Sequence, residues 1–268
     1  MEKTKIKNSK SSEALNQNSI QNSIQNSKQN QNKKAGIYKL SFSAVCVALA
    51  FVCRMFLEIM VPFFGSGSIR ISAEGIFLAL PAMLFGGVYG GFCFMCVDLL
   101  GVVFKPEGAF IPYLTIAMFA YGFLKGVLFK YFCKYKKHID KIYIAVTAAT
   151  VLFGTVNIFI NKSKVAIWSV PLIMGAVLTV LFILIKAFKI KNDIFKPVLL
   201  MQIISGCFVS ITNSVILYVL LIAGGKSGFY IFSTVRLLKE TVVAVITAAI
   251  ITVIYKKVLT RLFPFAKK

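Results

Sequence analysis

Apolar residues run in long blocks along this chain, at about 37–64, 71–85, 87–104, 110–132, 142–160, 165–188, 197–223 and 229–255, with polar turns between them. Most blocks approach the roughly 20 residues that a helix needs to cross the hydrocarbon core, so the pattern predicts an all-α polytopic membrane protein of about eight segments. The second block is shorter. Ser72 to Phe85 is 14 residues, about 21 Å of helix against a core of roughly 30 Å. A short segment next to the Gly86-Gly87 break predicts helices buried among others, beside a cavity. Residues 1–34 are lysine, asparagine, glutamine and serine with the near-repeat NSIQNSIQNSKQNQN. Such a tract holds too little apolar surface to fold and predicts a disordered tail, and it lacks the apolar centre of a signal peptide. Residues 35–268 then form one transmembrane domain.

Composition agrees with the pattern: 58% hydrophobic residues, 15% charged and a mean hydropathy of +0.80. The net charge of +22 would suggest nucleic acid in a soluble protein, but here its distribution matters more than its size. Lysine and arginine crowd the N-terminal tail, the turn at Lys130–Lys141, the turn at Lys186–Lys196 and the C-terminus from Lys256. By the positive-inside rule both termini lie in the cytoplasm, and the outer loops fall near 62–70, 104–111, 161–164 and 223–230.

Ionisable residues inside the apolar blocks are the candidate chemistry. Asp98 lies among Cys96, Val97, Leu99 and Leu100; a carboxylate there either pairs with an arginine of another helix or lines a solute pocket, and in both cases it faces away from lipid. Arg70, in the first outer loop, is either a snorkelling interfacial cation or a planar guanidinium for solute recognition. Arg54 and Glu58 are four apart and share a helical face, where they neutralise each other. Lys105, Glu107 and Thr115 lie in or beside the KPEG loop, an ordinary turn or a lid. Arg236 and Lys239 are expected at the start of the last segment, as a solvated helix start or as counter-charge for an anionic solute. Asn213 is an amide at bilayer depth that binds solute or joins helices. Gly86, Gly87, Gly90 and Gly91, with Gly122 and Gly126, have the spacing of close helix packing, and so do Ala44 and Ala48 in the first segment, as an internal contact or a partner surface. Six cysteines form no disulfide or zinc pattern.

Catalysis finds little support. The chain has no H-E-x-x-H, no G-x-S-x-G, no G-x-x-x-x-G-K-[ST] and no paired intramembrane carboxylates. Active transport therefore needs an ion gradient or partner ATPases. An ion-coupled secondary carrier, or a membrane-embedded enzyme using Asp98, is the alternative.

The run IRIS…LALPAMLFGGVYGG…VDLLG…KPEGAFIPYLT…YGFLKG resembles the core of substrate-binding S components of energy-coupling factor (ECF) vitamin transporters, nearest the folate-type branch. That branch has an Arg-Ile-Ser stretch before a short helix, a Phe-Gly-Pro break, an aspartate in the third helix and a Pro-x-Gly…Pro-Gly-Phe-Thr loop. Asn213 to Tyr218 and Val235 to Lys239 resemble its Asn-Thr-x-Trp and Thr-Arg-Leu-Ile-Lys patterns. The resemblance covers about 40–130 and 197–255, and makes 142–188 an extra helix pair in a six-helix core. Its Ser-Phe-Gly-Phe is Ser72-Ala73-Glu74-Gly75 here, and its tryptophan is Ile216. The resemblance implies capture of a water-soluble vitamin, folate or a related compound, by Arg70, Asp98, Lys105, Thr115, Asn213 and Arg236. It implies docking of Ala44 and Ala48 on a transmembrane coupling subunit with two cytoplasmic ATPases. No cofactor is implied.

Overall fold

The computed structural model describes residues 29, 33–34, 36–63, 67–104, 110–160, 172, 175–180, 183, 194–221 and 225–259. Two units divide at Ala44 and Val45, within the first helix. In the first, the described residues from Gly36 are helical, with Ile37, Tyr38 and Leu40 exposed. The expected disordered tail and the KPEG loop lie largely or wholly outside the described residues, as does most of the sixth block.

The first helix, α1 (Gly36–Phe56), is long and apolar enough to cross a membrane. It stops earlier than its apolar block. Pro62 would cost a helix interior about 3 kcal/mol, and the flanking residues favour extended backbone; β1 (Ile59–Phe63) pairs antiparallel with β2 (Gly67–Ile71), Met60 opposite Arg70. This hairpin corrects the purely helical expectation. The alternation Ser68-Ile69-Arg70-Ile71-Ser72 is its sequence signal, period two where a helix would show 3.6.

Among the described residues the further α-helices are α2 (Glu74–Phe85), α3 (Gly87–Phe104), α4 (Pro112–Lys134), α5 (Ile139–Ile160), α6 (Phe195–Leu221) and α7 (Gly225–Ile254), with residues 175–180 also helical. Of these, α3, α4 and residues Phe195–Ile216 of α6 qualify with α1 as membrane spans among the described residues. The protein is a helical membrane protein. Helix α2 has 12 residues, nearly all buried or half-buried, as its length predicts. Gly86 breaks it from α3 with a φ of 97°, a conformation that glycine adopts without steric cost. The backbone stays satisfied through Gly86 N–H to Ala82 O and Gly90 N–H to Gly86 O, both 3.1 Å.

The glycines pack α3 on α4. A Cβ on Gly90 would lie 2.7 Å from the Gly122 carbonyl oxygen, and one on Gly87 2.6 Å from that of Phe123. Backbones this close gain van der Waals contact, the main attraction between helices in lipid. Above this seam Ala50, Leu78, Cys93, Phe94 and Val97 form a buried cluster with Phe77, Met118 and Tyr121 against it. Helices α6 and α7 pack together as well, and both carry buried residues, Val198, Leu199, Leu200 and Met201 on α6 and Ala244, Ala248 and Ile251 on α7. Helix α5 attaches differently. Asp140 near its start meets Lys196 at 2.7 Å, and Tyr143 donates to Leu178 O at 2.9 Å.

Candidate functional site

Four helices bring a polar cluster together. Arg54, near the end of α1, is only 6% exposed. Its Nη1 lies 3.6 Å from Asp98 Oδ1 and 4.0 Å from Glu74 Oε2, and donates to Val97 O at 3.3 Å. Thr115, in the first turn of α4, donates its hydroxyl to Asp98 Oδ2 at 2.8 Å. Asp98 thus has a structural partner, the arginine of another helix, and Arg54 finds its counter-charge on α2 and α3; Glu58, expected to share its helical face, lies beyond the end of α1 at Phe56. Gly101 makes the arrangement possible: a Cβ there would lie 2.6 Å from Arg54 Nε. One guanidinium and two carboxylates bear a formal charge of −1, and both acids keep some exposure, 19% for Glu74 and 15% for Asp98.

A second polar cluster links α4, α6 and α7. Lys125, 1% exposed, donates to Gln202 Oε1, and Gln202 Nε2 donates to Thr247 Oγ1 at 3.1 Å. The ammonium also stands 4.3 Å from the centroid of Tyr121 and 5.3 Å from that of Phe94. Tyr121 links this cluster to the core of α1, α2 and α3: its ring meets that of Phe94 with centroids 4.9 Å apart and packs against the buried group of Ala50, Leu78, Cys93, Phe94 and Val97.

The remaining candidates fall as follows. Arg70 is in β2, and α7 touches that strand. Asn213 is half-buried on α6, its Oδ1 enclosed without a hydrogen-bond partner among the described residues. Positions 202 and 213, like 236 and 247, are about three turns apart, so the antiparallel register that joins Gln202 to Thr247 sets Asn213 level with Arg236. Arg236 and Lys239 do not stand at a helix start: α7 begins at Gly225, which puts them about 17 and 21 Å along it. Lysine and serine are tolerated in helices, so the polar Lys226-Ser227 is a first turn and not a loop. Ala44 and Ala48 are both exposed. Lys105 lies outside the described residues. The six cysteines are free, and among the described residues no cluster of metal ligands occurs.

A family model described as ECF transporter, substrate-specific component, matches residues 39–221. The chain belongs to this family. The folate transporter FolT of Clostridium novyi (strain NT) is similar to it, 30% identical over 142 residues, which make up 53% of this chain and 73% of that protein. No solved structure matches. Membership in the substrate-specific components makes the chain a transporter subunit and not an enzyme, and gives the two polar clusters a context. Ionisable groups at bilayer depth are costly unless partnered, and such proteins keep them along solute paths.

Proposed function

We propose that this chain captures folate or a closely related vitamin from outside the cell and delivers it inward together with a transmembrane coupling subunit and two cytoplasmic ATPases. The similarity to the Clostridium novyi folate transporter carries the reading. In it, both termini are cytoplasmic, eight segments cross or enter the bilayer, and the pair at 142–188 is an addition to a six-helix core. Solute enters between β2 and the outer ends of α3, α4 and α7, where Arg70, Asp98, Lys105 and Thr115 contribute contacts, with Asn213 and Arg236 deeper, about 17 Å along α7. The arrangement of Asp98 supports this: it is held by Arg54 and Thr115 yet keeps part of its surface open. Ala44 and Ala48, exposed on a helix in lipid, offer the smooth surface on which another helix packs closely, and form the face for the coupling subunit.

Two experiments test the reading. Purified protein titrated with folate should bind it, and Arg70→Ala and Asp98→Asn should each weaken binding while leaving membrane insertion intact; unchanged affinity in both removes them from the site. Ala44→Leu with Ala48→Leu should leave folate binding by the isolated protein nearly intact and abolish co-purification with the ATPase module. Normal uptake by that double variant would sink the partner assignment.

A further inference from the structure

Glu240 stands about midway along α7, at a depth where lipid would tolerate a carboxylate poorly. Its side chain keeps 16% of its surface exposed, and Oε1 meets Lys239 Nζ at 2.7 Å. Oε2 is outside that contact and lies over the backbone of α6, where a Cβ on Gly206 would come within 3.2 Å of it. Gln202, one turn before Gly206 on α6, accepts from the Lys125 ammonium of α4. The carboxylate therefore sits on the contact of α7 with α6, about one turn of α6 from the place where Lys125 brings in α4.

We propose that Glu240 is a specificity-determining acceptor for the solute. A carboxylate offers about four lone-pair sites, of which the lysine occupies one. Its open oxygen, with the second lone pair of the other, matches two adjacent N–H donors: a ring N–H beside an exocyclic amine, the edge of a 2-amino-4-oxopyrimidine ring. Gly206 leaves room for the acceptor: a Cβ there would come within 3.2 Å of Oε2 and push it aside by a few tenths of an ångström. This assignment rests on the folate reading above and names the part of that molecule which reaches the deep end of the site.

The probes are folate and a folate analogue in which methyl replaces the 2-amino group, titrated against the full chain in detergent. The wild type should prefer folate by about ten- to a hundredfold, the range for one hydrogen bond to a charged group. Glu240→Gln keeps the shape but turns one acceptor into a donor, and should bring the preference to about twofold or less. If that variant fails to fold, Gly206→Ala decides, since it retains the charge and displaces the oxygen: its preference should fall several-fold. A preference that is absent in the wild type, or unchanged in the variants, overturns the assignment and leaves the folate reading standing. A wild type that binds neither probe removes the folate reading, and this inference with it.

Discussion

Two buried cations, Arg54 on α1 and Lys125 on α4, are accommodated by opposite means. Arg54 is surrounded by carboxylates, Asp98 at 3.6 Å and Glu74 at 4.0 Å, whereas Lys125 rests against the neutral amide of Gln202 and the rings of Tyr121 and Phe94. The first arrangement is held by charge and joins α1, α2 and α3, with Thr115 adding α4. The second is held by dipoles and ring quadrupoles and joins α4, α6 and α7. Removing one partner therefore has different consequences at the two places, because two carboxylates left together repel each other, whereas the ammonium left by Gln202 keeps the rings of Tyr121 and Phe94.

The largest effect is expected for Arg54→Met, which leaves two acids facing each other without their cation. A loss of about 3–5 kcal/mol is expected, read as a lowered unfolding midpoint in detergent; a loss under about 1 kcal/mol would mean that the cluster does not hold the four helices together. Gln202→Leu should cost less, about 1–3 kcal/mol, because it strands the Lys125 ammonium. The smallest change belongs to Lys125→Met combined with Gln202→Leu. Replacing both members by apolar groups of similar size removes the desolvation penalty together with the interaction, so the double variant should lie within about 1 kcal/mol of the wild type, and above Gln202→Leu alone. Simple additivity of the two single variants would erase the contrast between the clusters.

The sequence makes several of these features readable and hides others. Asp98 stands out as a charge among apolar residues, and the glycine spacing of α3 and α4 predicts their close packing, because both are local patterns. The partner of Asp98 is 44 residues away on another helix, and residue spacing favours the nearer Glu58, so the link to Arg54 appears only in three dimensions. Lys125 and Glu240 meet the same criterion as Asp98, an ionisable residue within an apolar block. The proximity of Lys125 to the basic turn at Lys130–Lys141, and of Glu240 to Lys239, disguises them as interfacial charges. The start of α7 is misjudged for a related reason: Lys226 and Ser227 look like loop residues, and the error moves Arg236 and Lys239 from mid-helix to the mouth. The hairpin is overlooked because its apolar residues join those of α1 into one block, although Pro62 and the period-two alternation at Ser68–Ser72 mark the change.

The shortness of α2 has a consequence for how far a solute must travel. Twelve residues rise about 18 Å, so the turn at Gly86 ends about 12 Å short of the far side of a roughly 30 Å hydrocarbon core. Gly126 of α4 closes on that turn, since a Cβ on it would collide with the backbone of Gly86 and Gly87. At the α2–α3 turn the main chains of α4 and of Gly86-Gly87 thus touch with no side chain between them, and the remaining depth is filled from α4 by the buried rings of Phe129 and Phe132, which a solute leaving inward must pass or displace.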